Sequence, residues 1–115
     1  MPVQRGDIYL VNLNPVQGRE QAGRRPVLVL STDSINSLPL VITVVVGTKG
    51  ENLTRDYPIN VRVSTAESGL PMETVFLCFQ LRSLDPGRFV GLPAGKVSGA
   101  MLGRIEAAVR HCLGL

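Results

Sequence analysis

Pro26-Val27-Leu28-Val29-Leu30-Ser31 is the stretch on which the fold turns. It is nearly continuously apolar, too short for a core helix, and reads as a buried strand. Short runs of the same character lie on both sides of it. Upstream, Asp7 to Leu13 alternates polar and apolar residues, the pattern of a half-buried strand. Downstream, Leu40 to Val46 is again almost wholly apolar, and Asn60 to Ser64 alternates with Val61 and Val63 on one face. Thr74 to Gln80 forms a further strand, and Arg88 to Gly91 a short one. Turn residues punctuate all of them.

The C-terminal end has a different period. Met101, Leu102, Ile105, Ala108, Val109 and Cys112 recur at helical spacing and make an apolar stripe. Ser98 suits the N-cap and Gly114 the C-cap, and Glu106 can pair with Arg110 on the outer face. Short strands followed by one terminal helix predict a mainly β fold, a small barrel of antiparallel strands with a C-terminal helix. The length of 115 residues fits a single domain spanning 1–115, with a small core that a dimer interface would help.

Composition narrows the function. The net charge is +3, and ten of the twelve basic residues are Arg, whose planar fork matches phosphate. This points either to a polyanionic partner or to a bias in residue usage. With five aromatic residues and no Trp, a broad base-stacking platform is not expected. Cys78 and Cys112 form no CxxC and read as buried free thiols of a reduced compartment. Met1 to Arg5 lacks the apolar run of a leader, and no stretch is long enough to span a membrane. A soluble, cytoplasmic protein is expected.

Most catalytic signatures are missing. The single histidine, His111, falls in the last turn of the helix, where its charge would complement the dipole. No His/Cys/Asp/Glu cluster has metal-ligand spacing, so no metal site and no cofactor are expected. What remains is Gly18-Arg19-Glu20-Gln21-Ala22-Gly23-Arg24-Arg25-Pro26, leading into the apolar strand. Pro26 biases Arg25 toward an extended conformation, so its guanidinium is held at the mouth of the strand. Glu20, across a turn eased by Gly23, makes with Arg25 either a base and a phosphate clamp or a simple loop salt bridge. Thr48 follows Gly47 and precedes Lys49; its hydroxyl either binds phosphate or serves the turn. Gln80, Arg82 and Ser83 cluster before the Pro86-Gly87 turn, where they either read RNA or brace the loop that carries Arg25.

Taken together these segments resemble the MazF/PemK family of toxin endoribonucleases. Arg5-Gly6-Asp7-Ile8-Tyr9 with Asn14-Pro15 matches the first hairpin of that family. Glu20-Gln21-Ala22-Gly23-Arg24-Arg25-Pro26, continuing to Ser31, matches its signature loop and second strand. The strand ending at Thr48, the segment Gln80-Leu81-Arg82-Ser83-Leu84-Asp85 and the terminal helix follow in the same order.

The resemblance implies an SH3-like barrel, a homodimer, single-stranded RNA bound across it, and a MazE-like antitoxin as partner. It implies metal-independent cleavage through attack of the RNA 2′-OH, leaving a 2′,3′-cyclic phosphate and a 5′-OH. By motif match Arg25 and Thr48 take the catalytic positions, with Glu20 as a supporting acid. Arg19, Arg24 and Lys49 would attract the RNA backbone, and Gln80, Arg82 and Ser83 would contribute to binding. Many relatives carry an acid immediately before the later Gln, and some an Arg two residues before that acid. Here those positions are Phe79 and Leu77, which shifts weight onto Arg25, Thr48 and Glu20. Two other functions fit the strand pattern: a non-enzymatic gyrase poison like the CcdB toxins, and a bare RNA-binding barrel.

Overall fold

The computed structural model describes residues 3–38 and 40–115; Met1 and Pro2, part of the stretch read above as carrying no leader, lie outside them. Six strands form one antiparallel sheet: β1 (Asp7–Asn12), β2 (Arg24–Val29), β3 (Ile42–Lys49), β4 (Asn60–Val63), β5 (Thr74–Leu84) and β6 (Gly95–Lys96). Their order is β4-β5-β3-β2-β1-β6. Two four-residue helices, α1 (Asp33–Asn36) and α2 (Thr65–Ser68), sit in connections, and α3 (Gly99–Leu113) ends the chain. The expected mainly β architecture with a terminal helix is the one observed.

The sheet is buried on both faces, which is why its central strands read as continuous apolar runs. Ile8, Leu28, Val45, Phe76 and Cys78 point to one side and pack with Met101, Ile105, Ala108 and Val109 of α3. Tyr9, Val11, Val27, Val29, Val44 and Val46 point to the other, beneath Val16 and Phe89. Adjacent residues alternate between the two cores, as a period of two requires. The sheet curls so far that β6 at one end meets α2, which follows β4 at the other. Gly95 is the point of approach: a Cβ there would overlap the Ser68 carbonyl. Among the described residues no ladder joins β4 to β6, so the barrel is a curled half-barrel.

Several boundaries differ from the reading of the sequence. Ladder pairing starts β2 at Arg24, and Leu30 and Ser31 leave the strand by donating to the Thr43 carbonyl instead. β3 runs on through Thr48 to Lys49, because Gly47 lets the Phe76 ring lie against it; a Cβ at Gly47 would stand 3.1 Å from that ring. β5 continues to Leu84 across a break in register. Val45 pairs with Leu81 and Val46 with Leu77, so Cys78, Phe79 and Gln80 have no partner on β3. Such a bulge bends the strand and re-aims its side chains.

The short strand expected at Arg88 to Gly91 is absent. Pro86–Arg88 is instead a turn of 3-10 helix, capped by Asp85, whose Oδ2 accepts from the Gly87 amide at 2.8 Å. The small sixth strand lies later, at Gly95–Lys96, paired with β1. In α3 the Ser98 hydroxyl accepts from the Met101 amide at 3.1 Å, and Gly114 takes the left-handed conformation. Glu106 does not pair with Arg110. Arg5 reaches it from the start of the chain at 2.8 Å and also donates to the Leu30 carbonyl.

Candidate active site

β2 and β3 pair Val27 with Val46 and Val29 with Val44. Continuing that register by one step in each strand's alternation sets Arg25 opposite Thr48. Both project from the face of the sheet turned away from α3, as Val27 and Val46 do. On the far side of Thr48 the same row continues through Val75 of β5 to Arg62 of β4.

Each of the two side chains is held. Arg25 is half-buried, and its Nε donates to the Ala22 carbonyl at 2.9 Å. That bond fixes one edge of the guanidinium and leaves its terminal nitrogens for an anion. Thr48 is only 4% exposed, and its Oγ1 accepts from Nδ2 of Asn52 at 2.9 Å. A hydroxyl that accepts one hydrogen bond still has a proton to give. Arg25 and Thr48 open into a common hollow of about 360 Å³, with Gln21, Asn52, Leu77, Phe79 and Gln80 among its walls.

Glu20 lies elsewhere. It is exposed, its carboxylate accepts from the Gln17 amide at 2.5 Å, and no ion pair joins it to Arg25 among the described residues. It lines an adjoining hollow with Arg19, Leu81 and Arg82, and Phe79 and Gln80 form the wall between the two. The acid and the Arg are therefore neighbours across a partition, not a salt bridge.

The donor cluster on β5 holds the loop that carries these groups. Gln80 accepts from the Gln21 amide at 3.0 Å and donates to the Arg19 carbonyl at 3.4 Å. Arg82 donates to the Leu13 carbonyl at 2.9 Å. Ser83 shares a hydrogen bond with Thr43 at 3.0 Å, within the sheet. The bulge makes the first of these possible, since it turns Gln80 out of the ladder and toward the loop. Phe79, next to it, is half exposed at the mouth of both hollows.

Strand alternation sends Arg24 to the opposite face from Arg25. With Lys49 it rims a second, apolar hollow lined by Leu10, Leu70 and Met72, which Arg25 also borders. Arg24, Lys49 and Arg19 are all exposed and are not among the walls of the Thr48 hollow. His111 is exposed on α3 beside Asn60 and Arg104. Cys78 is buried as expected, while Cys112 is only half-buried. Among the described residues no three His, Cys, Asp or Glu side chains gather into a metal-ligating group, and no helix is long and apolar enough to cross a membrane.

Reading the sequence missed Asn52. It stands four residues after Thr48 in a polar segment, and only the 3-10 turn Gly50–Asn52 folds it back onto the hydroxyl.

Comparison with known proteins places this geometry in context. Residues 4–113 match the family described as the PemK-like, MazF-like toxin of type II toxin-antitoxin systems. Endoribonuclease MazF9 of Mycobacterium tuberculosis is 34% identical over 118 aligned positions, covering 98% of each chain. The crystal structure of MazF from Deinococcus radiodurans superposes with a TM-score of 0.83 at 25% identity, covering 100% of this chain and 99% of that one. A structure of a MazE-MazF complex from the same organism superposes with a TM-score of 0.77 at 25% identity, covering 100% of this chain and 98% of that one.

Proposed function

Since the chain belongs to the PemK-like, MazF-like toxins of type II toxin-antitoxin systems and is an endoribonuclease, we propose that it cuts single-stranded RNA, mRNA above all, at the Arg25–Thr48 hollow, without a metal ion. Family membership removes the non-enzymatic gyrase poison and the bare RNA-binding barrel. The observation that carries the proposal is the convergence of two tethered donors, from adjacent strands, on one hollow.

RNA brings its own nucleophile, the 2′-OH beside the scissile phosphate. Its oxygen attacks phosphorus, the bond from phosphorus to the 5′-oxygen breaks, and the 5′-oxygen leaves, taking its proton from solvent water. The products are a 2′,3′-cyclic phosphate and a 5′-OH. Arg25 neutralises the charge that grows on the non-bridging oxygens, a contribution of about 2.7–4 kcal/mol for a comparable oxyanion donor. Thr48 donates a hydrogen bond from its hydroxyl to a phosphate oxygen and keeps its proton. Glu20 takes the 2′-OH proton, from a nucleotide that spans the partition at Phe79 and Gln80. The exposed Arg19, Arg24 and Lys49 draw in the polyanion, whereas Gln80 and Arg82 assist binding by fixing the loop, and Ser83 by tying β5 to β3 beside them.

The chain acts as one domain, 1–115, in a symmetric cytoplasmic homodimer. Exposed Leu10, Met72, Val90 and Leu92 are apolar surface that such an interface would cover. A MazE-like antitoxin is its partner, by analogy with the complex of the Deinococcus radiodurans protein. An acidic antitoxin segment would be drawn to the loop Arg19 to Arg25.

Sequencing the new ends of a long RNA after incubation with the purified protein in EDTA tests the chemistry. Defined cut sites with cyclic phosphate ends are expected. Cleavage that requires magnesium, or that persists with a 2′-deoxy residue at the cut site, would overturn it.

A further inference from the structure

Thr48 is held by a chain of contacts that reaches across the sheet to Arg62 on β4. Asn52 supplies the bond to its Oγ1, and Asn52 lies in the 3-10 turn Gly50–Asn52. That turn is gripped by Arg62 of β4. The Arg62 guanidinium donates to the Gly50 carbonyl at 3.1 Å and to the Leu53 carbonyl at 2.6 Å, on either side of Asn52. Two more of its five donors are paired with Asp56 at 2.9 Å and Glu73 at 2.8 Å. A fork engaged on all three of its nitrogens is held in place, and a lysine has no equivalent geometry. Arg62 has only 24% of its side chain exposed, and its pairing with the two carboxylates raises its pKa further above the ordinary guanidinium value.

We propose that Asn52 is a positioning residue for cleavage: it fixes the rotation of the Thr48 hydroxyl, and Arg62 fixes the turn that presents Asn52. A free hydroxyl rotates and can aim its proton at any nearby acceptor. The Nδ2 proton of Asn52 occupies one lone pair of Oγ1, so the hydroxyl proton points away from Asn52 and into the hollow. The bond also decides direction, because an acceptor in place of Nδ2 would turn the same proton away from the phosphate. The inference rests on the reading of Thr48 as a phosphate donor, and the test separates the two.

The experiment is single-turnover cleavage of a short RNA containing one cut site, at saturating protein, with RNA affinity and melting temperature measured alongside. Thr48→Val should lose about 100-fold in the cleavage step. Asn52→Ala should lose about 10-fold, the scale of one hydrogen bond, with RNA affinity unchanged and the protein still fully folded at the assay temperature. Asn52→Asp keeps the volume but replaces the donor by an acceptor, and should lose at least as much as the alanine. In the Thr48→Val background, Asn52→Ala should cost nothing further, the coupling expected of one shared interaction. Arg62→Lys should fall between wild type and Asn52→Ala. Unchanged cleavage by Thr48→Val would sink the reading of Thr48 itself. A collapse in Thr48→Val beside wild-type cleavage in Asn52→Ala, or full additivity of the two, would overturn the positioning role alone.

Discussion

At the scale of single residues, two arginines adjacent in sequence are assigned different work by the pleat. Arg25 faces the Thr48 hollow and is tethered to Ala22, while Arg24 faces the other side of the sheet. Arg25→Ala should therefore lose roughly 100- to 1,000-fold in the cleavage step, and Arg25→Lys should do little better, since a point charge lacks the fork. Arg24→Ala should weaken RNA binding modestly and flatten its salt dependence, with single-turnover cleavage near wild type. Equal losses in the cleavage step for both would show only a basic patch. The sequence made Arg25 legible because Pro26 restrains it. It did not reveal that Glu20 and Arg25 stand apart, because a loop's course depends on braces from Gln80 and Arg82, some sixty residues away in the chain. Glu20→Gln separates the roles of the acid: as the base it should depress cleavage without changing affinity, whereas a purely local contact to Gln17 would leave the rate intact. Cys78 offers a test by pH. Burial pushes its thiol up to about 12, from an ordinary value near 9. The unfolded chain then ionises first, so this contribution to stability is full below about pH 9 and is lost as pH rises toward 12. Melting temperature should fall over that window less steeply in Cys78→Ala than in wild type, and iodoacetamide at pH 8 should label Cys112 before Cys78.

At the scale of elements, β3 depends on the lack of a side chain and α3 on a single one. Gly47 gives the Phe76 ring its seat, with a Cβ position only 3.0 Å from Thr74 Cγ2 as well. Gly47→Ala should destabilise by about 1–3 kcal/mol through crowding, and denaturant unfolding would show it as a lower midpoint with an unchanged slope. Ser98→Ala should cost about 1 kcal/mol by freeing the Met101 amide at the start of α3. The apolar periods revealed β1 to β5 and α3, since burial writes directly into sequence. They revealed neither the break in β5 nor β6. A bulge conserves the apolar run while shifting pairing partners, and Gly95–Lys96 carries too few side chains to show a period. Arg88 to Gly91 was misread because its apolar pair, Phe89 and Val90, serves no ladder: Phe89 packs edge-on against Tyr9, and Val90 is exposed.

At the scale of the whole molecule, the charge and the exposed apolar groups lie on a body of radius of gyration 13.1 Å. A symmetric dimer should appear in sedimentation at micromolar concentration; an active monomer would contradict the assembly proposed above. Binding of an acidic antitoxin segment should weaken steeply as salt is raised, because charge pairing with Arg19, Arg24 and Arg25 is screened. An inhibitor whose footprint lies wholly away from Arg25 and Thr48 would argue against occlusion of the site.

The connection from Leu13 to Gly23 has a double duty with a consequence for how such a protein can change. Leu13 is fully buried and Val16 packs on the second core, while Ala22 holds Arg25 and Gln21 is bonded to Gln80. A substitution that retunes substrate choice in this segment also loosens the seal on half the interior. Divergence toward new target sequences would then proceed by compensated pairs of changes, one in the loop and one beneath it, and a stabilising change in the Val27–Val46 layer would open routes closed to the original background.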